Sequence, residues 1–276
     1  HLDWSGNMKR FFLLIPFTAV AGTLLFLTAC NTNQSGGKGQ IWERELGAVA
    51  NEPLNPADAQ KELNLKVDLI PEGKYGRRIF REMTPQYITI HSTQNPTGDA
   101  YAHAKALNRG ALRGGVCGYL CWHFTVQDNA VIQHIPTSER GEHADFDGPG
   151  NRYSIGIEMC EHQGNNQVVT MERTAKLAAT LMYHHKIPIE NIRAHYHWPR
   201  EGYDPPNKDC PHFLLENGKP GDTWRWFVGR INMHHARLVR YDEALREQKI
   251  KEEEAKRRKQ MVQRVWSIVS DWVGLS

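Results

Sequence analysis

The stretch WHFTVQDNAVIQHIP, residues 122–136, decides the fold class. It holds two short runs rich in β-branched and aromatic residues, which meet at Asp128 and Asn129 in a pattern typical of a hairpin. Two strands joined by so short a turn run antiparallel. The segments around it alternate between strand and helix patterns, as in α/β proteins. The sequence therefore predicts an α/β fold with a central mixed β-sheet flanked by helices.

Three further runs predict strands, and two longer segments predict helices. The additional strands are QYITIH (86–91), YSIGIEMC (153–160) and NIRAH (191–195). The first helix pattern, residues 100–110, ends at Gly110, a residue type favoured at helix C-termini. The second, residues 170–186, has Thr170 as its expected N-cap and ends before Pro188.

The N-terminal segment has the layout of a secretory signal. Met8 is the first methionine, so residues 1–7 are interpreted as upstream sequence. A short basic pair then precedes the apolar run FFLLIPFTAVAGTLLFLTA, residues 11–29. The alternative is an N-terminal transmembrane anchor, because the run approaches the roughly 20 residues that cross a bilayer.

The sequence LTAC, residues 27–30, resembles the lipobox of bacterial lipoproteins. Such proteins are cut before the cysteine, and its thiol is then lipidated. The resemblance implies lipidation of Cys30 and a protein that is exported and lipid-anchored to the bacterial cell envelope, at the outer membrane in a Gram-negative host. Residues 31–75, which begin with a polar and glycine-containing stretch, are interpreted as a linker.

Charge and cysteine usage narrow the function classes further. The 276-residue chain has a formal net charge of +3, and no basic stripe is interleaved with aromatic residues. We therefore expect no nucleic-acid partner. Besides Cys30 there are four cysteines, and Cys117, Cys121 and Cys160 are either buried thiols or include one disulfide.

The C-terminal segment, residues 236–276, predicts one long helix. Its first part is charged on all sides, whereas one face of its last part carries the apolar residues Val262, Val265, Trp266, Val269 and Trp272/Val273. We expect this face to pack on the domain or on a protein partner, with contact to a membrane surface as the alternative.

Candidate site residues close the predicted strands. His91, Glu158 and His195 each stand at a strand end, where a side chain is held rigidly but stays open to a cleft. A lone histidine at such a position is more often structural. Together with Cys210, however, the two histidines would form a His₂Cys set, which leaves the fourth position of tetrahedral zinc free for water.

Four blocks of the sequence carry a resemblance to a known family. ITIHSTQNP, WHFTVQDNAVIQHIP, GEHADFDGPGNRYSIGIEMCEH and the AHYHW and KDCPHFLL segments occur in the order found in type 2 N-acetylmuramoyl-L-alanine amidases. The resemblance spans about residues 77–215. It implies a zinc amidase domain, residues 76–235, with a zinc site at the strand ends and peptidoglycan or muropeptides as substrate.

The resemblance also implies roles for single residues. His91, His195 and Cys210 correspond to the zinc ligands of the family. Glu158 corresponds to its catalytic acid/base, and Lys208 to the residue that stabilises the transition state. These roles suit amide hydrolysis, which needs an activated water, a proton carrier and a cation near the carbonyl oxygen.

The sequence departs from the family pattern at two places. Some members have a catalytic tyrosine where this chain has Trp122, so Glu158 would carry more of the proton transfer. In addition, the loop between His195 and Cys210 is long, and its segment PREGYDPPN, residues 199–207, is expected either to reshape the substrate cleft or to displace Lys208.

Four further residues are candidates for substrate binding. His123 follows Trp122 in a strand and either borders the cleft or packs inside the domain. His143 resembles a histidine of the family's substrate cleft. Asn151 and Arg152 are expected to hold a carboxylate of the stem peptide, because a guanidinium binds carboxylates through two hydrogen bonds. The alternative for both is an ordinary surface loop.

Three functions remain open at this point. The first is a lipid-anchored zinc amidase that cuts the bond between the lactyl group of muramic acid and L-alanine. The second is a non-catalytic peptidoglycan-binding lipoprotein on the same fold, which Cys210 disfavours. The third is a structural lipoprotein whose C-terminal helix contacts a partner.

Overall fold

The computed structural model describes residues 38–273, whose central feature is a six-stranded mixed sheet. The strand order is β1-β4-β3-β5-β2-β6. Strands β3, β5, β2 and β6 are parallel neighbours, whereas β3 and β4 form the antiparallel hairpin and β1 pairs with β4 in parallel. The strands are β1 Leu65–Val67, β2 Tyr87–Ser92, β3 Phe124–Gln127, β4 Ala130–Gln133, β5 Ser154–Met159 and β6 Ile192–Ala194. The predicted mixed α/β sheet is confirmed.

Helices pack on this sheet or on one another, and a separate short hairpin precedes the last of them. The helices are α1 Lys38–Leu46, α2 Pro56–Glu62, α3 Ala100–Asn108, α4 Pro149–Tyr153, α5 Gln167–His185 and α6 Asp222–Val273, and the hairpin strands are β7 Leu215–Glu216 and β8 Lys219–Pro220. Among residues 38–273, no helix combines the length and the apolar character that crossing a membrane requires.

Helices α3 and α5 cover opposite faces of the sheet. Successive residues of a strand point to opposite faces. On β4, Val131 is buried in the cluster that contains the apolar residues of α5, whereas the next residue, Ile132, packs with Ala100 and Ala104 of α3. The sheet is therefore buried on both sides, and polar strand residues such as Thr89 and Thr125 are buried with the apolar ones.

The boundaries of α5 follow from its capping residues. Asn166, not Thr170, is the N-cap, and its Oδ1 accepts hydrogen bonds from the backbone N–H groups of Val168 and Val169, each at 3.1 Å. The predicted N-cap was therefore wrong. The Thr170 hydroxyl instead donates to Asn165 Oδ1. At the other end, Lys186 adopts a left-handed conformation with φ of 58°, and Pro188 follows.

The predicted linker 31–75 is wrong over its described part. Residues 38–75 contain α1, α2 and the edge strand β1. Glu43 of α1 accepts hydrogen bonds from Trp226 and Arg230 of α6, so this segment is attached to the domain by specific contacts. The lipobox at residues 27–30, including Cys30, and the apolar run before it lie outside the described residues.

The C-terminal helix begins earlier than predicted and divides into two parts. It starts at Asp222 rather than at residue 236, and its first five turns bury Trp224, Phe227, Ile231 and Leu238 against the domain. Every residue from 243 to 269 is exposed. The expectation that the apolar face of the last turns packs on this domain is therefore wrong, while the protein partner and the membrane surface stay predictions.

Candidate metal centre and active site

The sheet register brings the predicted site residues together. His91 on β2 is paired with Glu158 on the neighbouring parallel strand β5. On the other side of β2 lies β6, and His195 follows directly after its last residue. Parallel strands present their carboxyl ends at one edge of a sheet, where ligand sites are built. The three side chains therefore meet because of strand order and register.

The three predicted metal ligands converge at this edge. One ligand atom each of His91, His195 and Cys210 lies within 4.8 Å of the other two. All three side chains are buried, with exposed fractions of 1%, 4% and 1%. The arrangement is therefore a possible His–His–Cys metal site.

The hydrogen bonds of His91 and His195 leave Nδ1 of each ring with a free lone pair, which could bind a metal ion. Nε2 of His195 lies 3.2 Å from the carbonyl oxygen of Ala144, to which it donates, while its Nδ1 is buried without a partner among the described residues. A second chain runs from the Ser154 carbonyl oxygen through His143 to Nε2 of His91, with steps of 3.2 and 3.0 Å. Because His143 donates to Ser154, it accepts from His91, so Nδ1 of His91 carries the lone pair. Such partners orient metal-binding imidazoles.

The pKa values of His91, His195 and Cys210 are also compatible with binding a metal cation. Burial lowers the pKa of His195 to about 3 and holds that of His91 well below its ordinary value, so both rings are neutral. Burial raises the pKa of the Cys210 thiol to about 12, and its Sγ lies 4.0 Å from Nδ1 of His91. A bound cation would favour the thiolate. Two imidazoles and one thiolate form one of the donor sets that bind zinc in proteins.

Glu158 lies beside these ligands in a buried environment. Its Oε1 is 3.9 Å from Nδ1 of His91, and its Oε2 is buried without a hydrogen-bond partner among residues 38–273. Burial raises the pKa of Glu158 to about 8, although the positive charge of Lys208 offsets part of the rise. A carboxyl group with a pKa near neutrality can both accept and release a proton.

A cleft of about 330 Å³ opens over Glu158 and His195. Lys208 lines it, so the long loop does not displace this residue from the site. Trp122 also lines the cleft, but its Nε1 donates to the Thr125 hydroxyl at 2.7 Å. The remaining lining residues are Gly114, Gly115, Leu120, Glu142, His143, Ala144, Phe146, Asn151, Arg200 and Tyr203.

The four predicted substrate-binding residues have different positions. His143 lines the cleft and contacts His91, as described above. His123 does not reach the cleft surface: it is fully buried, its Nε2 donates to the Glu139 carbonyl oxygen at 2.8 Å, and its Nδ1 accepts from the Gly156 N–H at 2.9 Å. With both ring nitrogens occupied by backbone groups, His123 has the packing role.

Asn151 and Arg152 are engaged within the protein. Oδ1 of Asn151 accepts from the N–H groups of His143 and Ala144, each at 2.8 Å, and its Nδ2 donates to the Phe146 carbonyl oxygen at 2.6 Å. Asn151 therefore organises the loop that carries His143. The Arg152 guanidinium is held by the Asp147 carboxylate at the surface, away from the cleft lining. The role of this pair in holding a substrate carboxylate stays a prediction, although Asn151 lines the cleft and Arg152 does not.

Residue-by-residue inspection of the sequence missed the contribution of Phe146, Arg200 and Tyr203 to the cleft. Length was the available signal, because residues 199–207 were recognised as an insert that could reshape the cleft. The insert does so by placing Arg200 and Tyr203 in the lining.

The four described cysteines are free thiols, so the disulfide alternative for Cys117, Cys121 and Cys160 is wrong.

Comparison with known proteins places this geometry in a family. A family model described as N-acetylmuramoyl-L-alanine amidase matches residues 81–213. The solved catalytic domain of XlyA is 38% identical over 61% of this chain and 99% of that domain, with a TM-score of 0.51. The chain belongs to the N-acetylmuramoyl-L-alanine amidase family. The matched range contains His91, Glu158, His195, Lys208 and Cys210.

Curated relatives of the same family are longer than the shared region. XlyA of Bacillus subtilis strain 168 is 38% identical over 172 residues, which cover 61% of this chain and 51% of that protein. CwlH of the same strain is 33% identical over 174 residues, which cover 62% of each. The chain therefore spans about half to three fifths of the curated relatives it matches.

Proposed function

We propose that this protein is a zinc-dependent N-acetylmuramoyl-L-alanine amidase, which hydrolyses the amide bond between the lactyl group of N-acetylmuramic acid and L-alanine in peptidoglycan or muropeptides. The observation that carries the proposal is a single cleft that contains Glu158, His195 and Lys208 beside the His91 and Cys210 ligand positions. Membership in the amidase family supports the choice of reaction.

His91, His195 and Cys210 would hold the zinc ion. When bound there, zinc would act as a Lewis acid and lower the pKa of a water molecule toward about 7. The two histidine rings are oriented before zinc binds, because the Ala144 carbonyl oxygen holds the His195 ring and His143 holds the His91 ring. This pre-orientation reduces the cost of assembling the site.

Glu158 is the proposed proton carrier. When ionised, its unpartnered Oε2 is free to accept the proton of the attacking water, and the carboxylic acid so formed can pass a proton to the leaving amine. The tryptophan at position 122 supplies no phenol, and its N–H is already bonded to Thr125. Glu158 would therefore serve both proton-transfer steps.

Lys208 is the proposed electrostatic partner of the reaction. It lines the cleft, and its ammonium group has no ion-pair partner within residues 38–273. A cation placed before the reaction stabilises the negative charge that develops on the carbonyl oxygen, an effect worth up to a few kcal/mol. We expect Lys208→Ala to lower the turnover number more than it weakens substrate binding.

The experiment that tests the proposal combines metal content with product analysis. Purified protein is incubated with murein, and mass spectrometry measures release of stem peptides with a free L-alanine amino terminus. We expect such peptides, stoichiometric zinc, and loss of release after chelation that zinc restores. Active protein without bound metal would contradict zinc dependence. Protein that sediments with murein but releases no peptide would establish the non-catalytic binding function instead.

We also propose that Cys30 is lipidated and that the protein is exported and anchored to the bacterial cell envelope. The sequence LTAC supports this proposal. A Cys30→Ser variant should leave the membrane fraction or fail to mature, as followed by cell fractionation and by mass spectrometry of the N-terminus. Tight membrane association of that variant would point to the uncut apolar segment or to the C-terminal helix.

A further inference from the structure

The cleft contains an arginine that the proposed mechanism does not use. Arg200 lies in the insert 199–207 and lines the same cleft as Glu158 and Lys208. Its guanidinium makes no hydrogen bond or ion pair with another residue of the range 38–273, and its Nε is buried without a partner. A donor that is shielded from water and unpaired is costly, and a ligand that supplies an acceptor removes this cost.

Two aromatic rings hold the guanidinium in place. The guanidinium carbon of Arg200 lies 4.1 Å from the centroid of the Tyr203 ring. The Tyr203 ring in turn stacks on Phe146, with centroids 6.1 Å apart and an interplanar angle of 23°. A guanidinium over a ring gains a cation–π interaction while its N–H groups stay available at the edge of its plane.

Hydrogen bonds to backbone carbonyl groups hold both sides of this stack. The backbone N–H of Arg200 donates to the Pro206 carbonyl oxygen at 3.0 Å, and this hydrogen bond closes the insert into a compact loop. Across the cleft, Asn151 Nδ2 donates to the Phe146 carbonyl oxygen at 2.6 Å. The stack of Arg200, Tyr203 and Phe146 is therefore arranged before any ligand arrives, which lowers the entropic cost of binding.

We propose that Arg200, supported by Tyr203 and Phe146, binds a free carboxylate in the peptide part of the substrate. The inference rests on the proposed function, because that reaction places a peptide in the cleft beside Lys208. A planar guanidinium binds a carboxylate through two parallel hydrogen bonds, whereas a lysine ammonium acts as a single charge. Arg152 is outside the cleft lining, and its guanidinium pairs with Asp147 at the surface.

The test uses two muropeptides with the same sequence, one with free peptide carboxylates and one with those carboxylates amidated. Each is assayed with the wild type, Arg200→Gln, Arg200→Lys and the control Arg152→Gln. We expect the wild type to have a KM about 10-fold or more lower for the acidic muropeptide, the usual scale for hydrogen bonds to a charged group. Arg200→Gln should lose this preference through a higher KM for the acidic form, with kcat little changed.

The conservative and control variants separate recognition from a structural effect. Arg200→Lys should retain part of the preference, because it keeps the charge but not the two-bond geometry. Arg152→Gln should behave like the wild type. Equal KM values of the wild type for both muropeptides would overturn the proposal, as would an Arg200→Gln variant that loses kcat on both muropeptides and keeps the ratio of their KM values.

A binding measurement distinguishes failure of this inference from failure of the proposed function. The same muropeptides are titrated calorimetrically into Glu158→Gln protein with and without Arg200→Gln. Tighter binding of the acidic form that depends on Arg200 would establish the carboxylate site even if the wild type cleaved neither compound. Equal binding of both forms in both proteins would refute the site even if the wild type were an active amidase.

Discussion

Glu158 and Glu172 are shielded from water to a similar extent, with side chains 14% and 17% exposed, yet their pKa values shift in opposite directions. Burial raises the pKa of Glu158 to about 8, and the Lys208 charge only moderates the rise. Burial also acts on Glu172, but hydrogen bonds from His234 and Arg230 outweigh it and hold the pKa at about 2. The hydrogen-bonding partners, rather than the depth of burial, decide the sign.

The two environments have different consequences for the protein. Glu172 on α5 accepts from His234 Nε2 at 2.9 Å and from Arg230 on α6, and Arg230 also contacts Glu43 of α1. This network joins three helices. Glu158 has an oxygen without a hydrogen-bond partner among the described residues, an arrangement that costs stability and leaves the carboxylate free to react. One glutamate stabilises the fold, and the other is available for chemistry.

The largest expected effect comes from removing the reactive carboxylate. Glu158→Gln should lower turnover of murein by about 10²-fold or more, because an amide cannot accept the proton. The same change should not lower the melting temperature, since no described hydrogen bond to Oε2 is lost. Steady-state release of stem peptides and calorimetric unfolding measure the two quantities. Unchanged turnover would remove Glu158 from the mechanism and make His143 the next residue to test.

The opposite pattern is expected at Glu172. Glu172→Gln leaves the buried Arg230 with fewer acceptors, and breaking a buried ion pair costs about 3–5 kcal/mol. Because Glu43 still contacts Arg230, we expect a loss of about 3 kcal/mol, at the lower end of that range, in the free energy of unfolding by urea. Turnover per folded molecule should not change.

A matched variant controls for the loss of a glutamate near α5. Glu62→Gln removes an ion pair with Lys176. This pair is partially exposed, since the Glu62 side chain is 39% exposed and the Lys176 side chain 31%. Exposed pairs contribute little, so this variant should unfold close to the wild type. Similar losses in the free energy of unfolding for Glu62→Gln and Glu172→Gln would show that the buried network stabilises the fold no more than an exposed ion pair does.

The pH dependence of unfolding sharpens the comparison. A carboxyl group with a lowered pKa in the folded state contributes stability above its ordinary pKa of about 4.5, and the contribution disappears as the pH falls toward 2. The difference between wild type and Glu172→Gln should therefore be constant near neutrality and shrink between about pH 4.5 and pH 2. Urea titrations at several pH values measure it. A difference that stays constant down to pH 2 would contradict the lowered pKa.

The smallest expected effect concerns the exposed pair of Arg152 and Asp147. Both side chains are largely exposed, at 42% and 67%, so water screens the interaction. Arg152→Gln should leave the melting temperature and the KM for muropeptides unchanged within error. A clear rise in KM would restore Arg152 as a substrate-binding residue and weaken the role inferred for Arg200.

Local patterns in the sequence were sufficient for the centre of the site. His91, Glu158 and His195 were found because each closes a short strand, and the adjacency of β2, β5 and β6 then brought them together. Cys210 was found from its ligand chemistry and from the family resemblance. In each case the decisive information lies within a few residues of the position.

The assignments that sequence patterns left open or missed depend on hydrogen bonds that only the folded chain shows. His123 is occupied by backbone groups of residues 139 and 156, and Asn151 by three groups of its own loop, which no local pattern reveals. The edge strand β1 exists because it pairs with β4, more than 60 residues further along the chain. Polar residues in such segments resemble a linker until the partner strand is known.

Helix α6 gives the domain a spacer of fixed length. Its first turns are anchored by the buried Arg230, and the exposed part from Glu243 to Val273 continues as the same helix for about 45 Å at 1.5 Å per residue. A flexible tether lets an attached group sample a broad volume, whereas a helix holds it near one distance. Any contact made by Trp266 and Trp272 near its end therefore fixes how far the domain operates from whatever those residues bind.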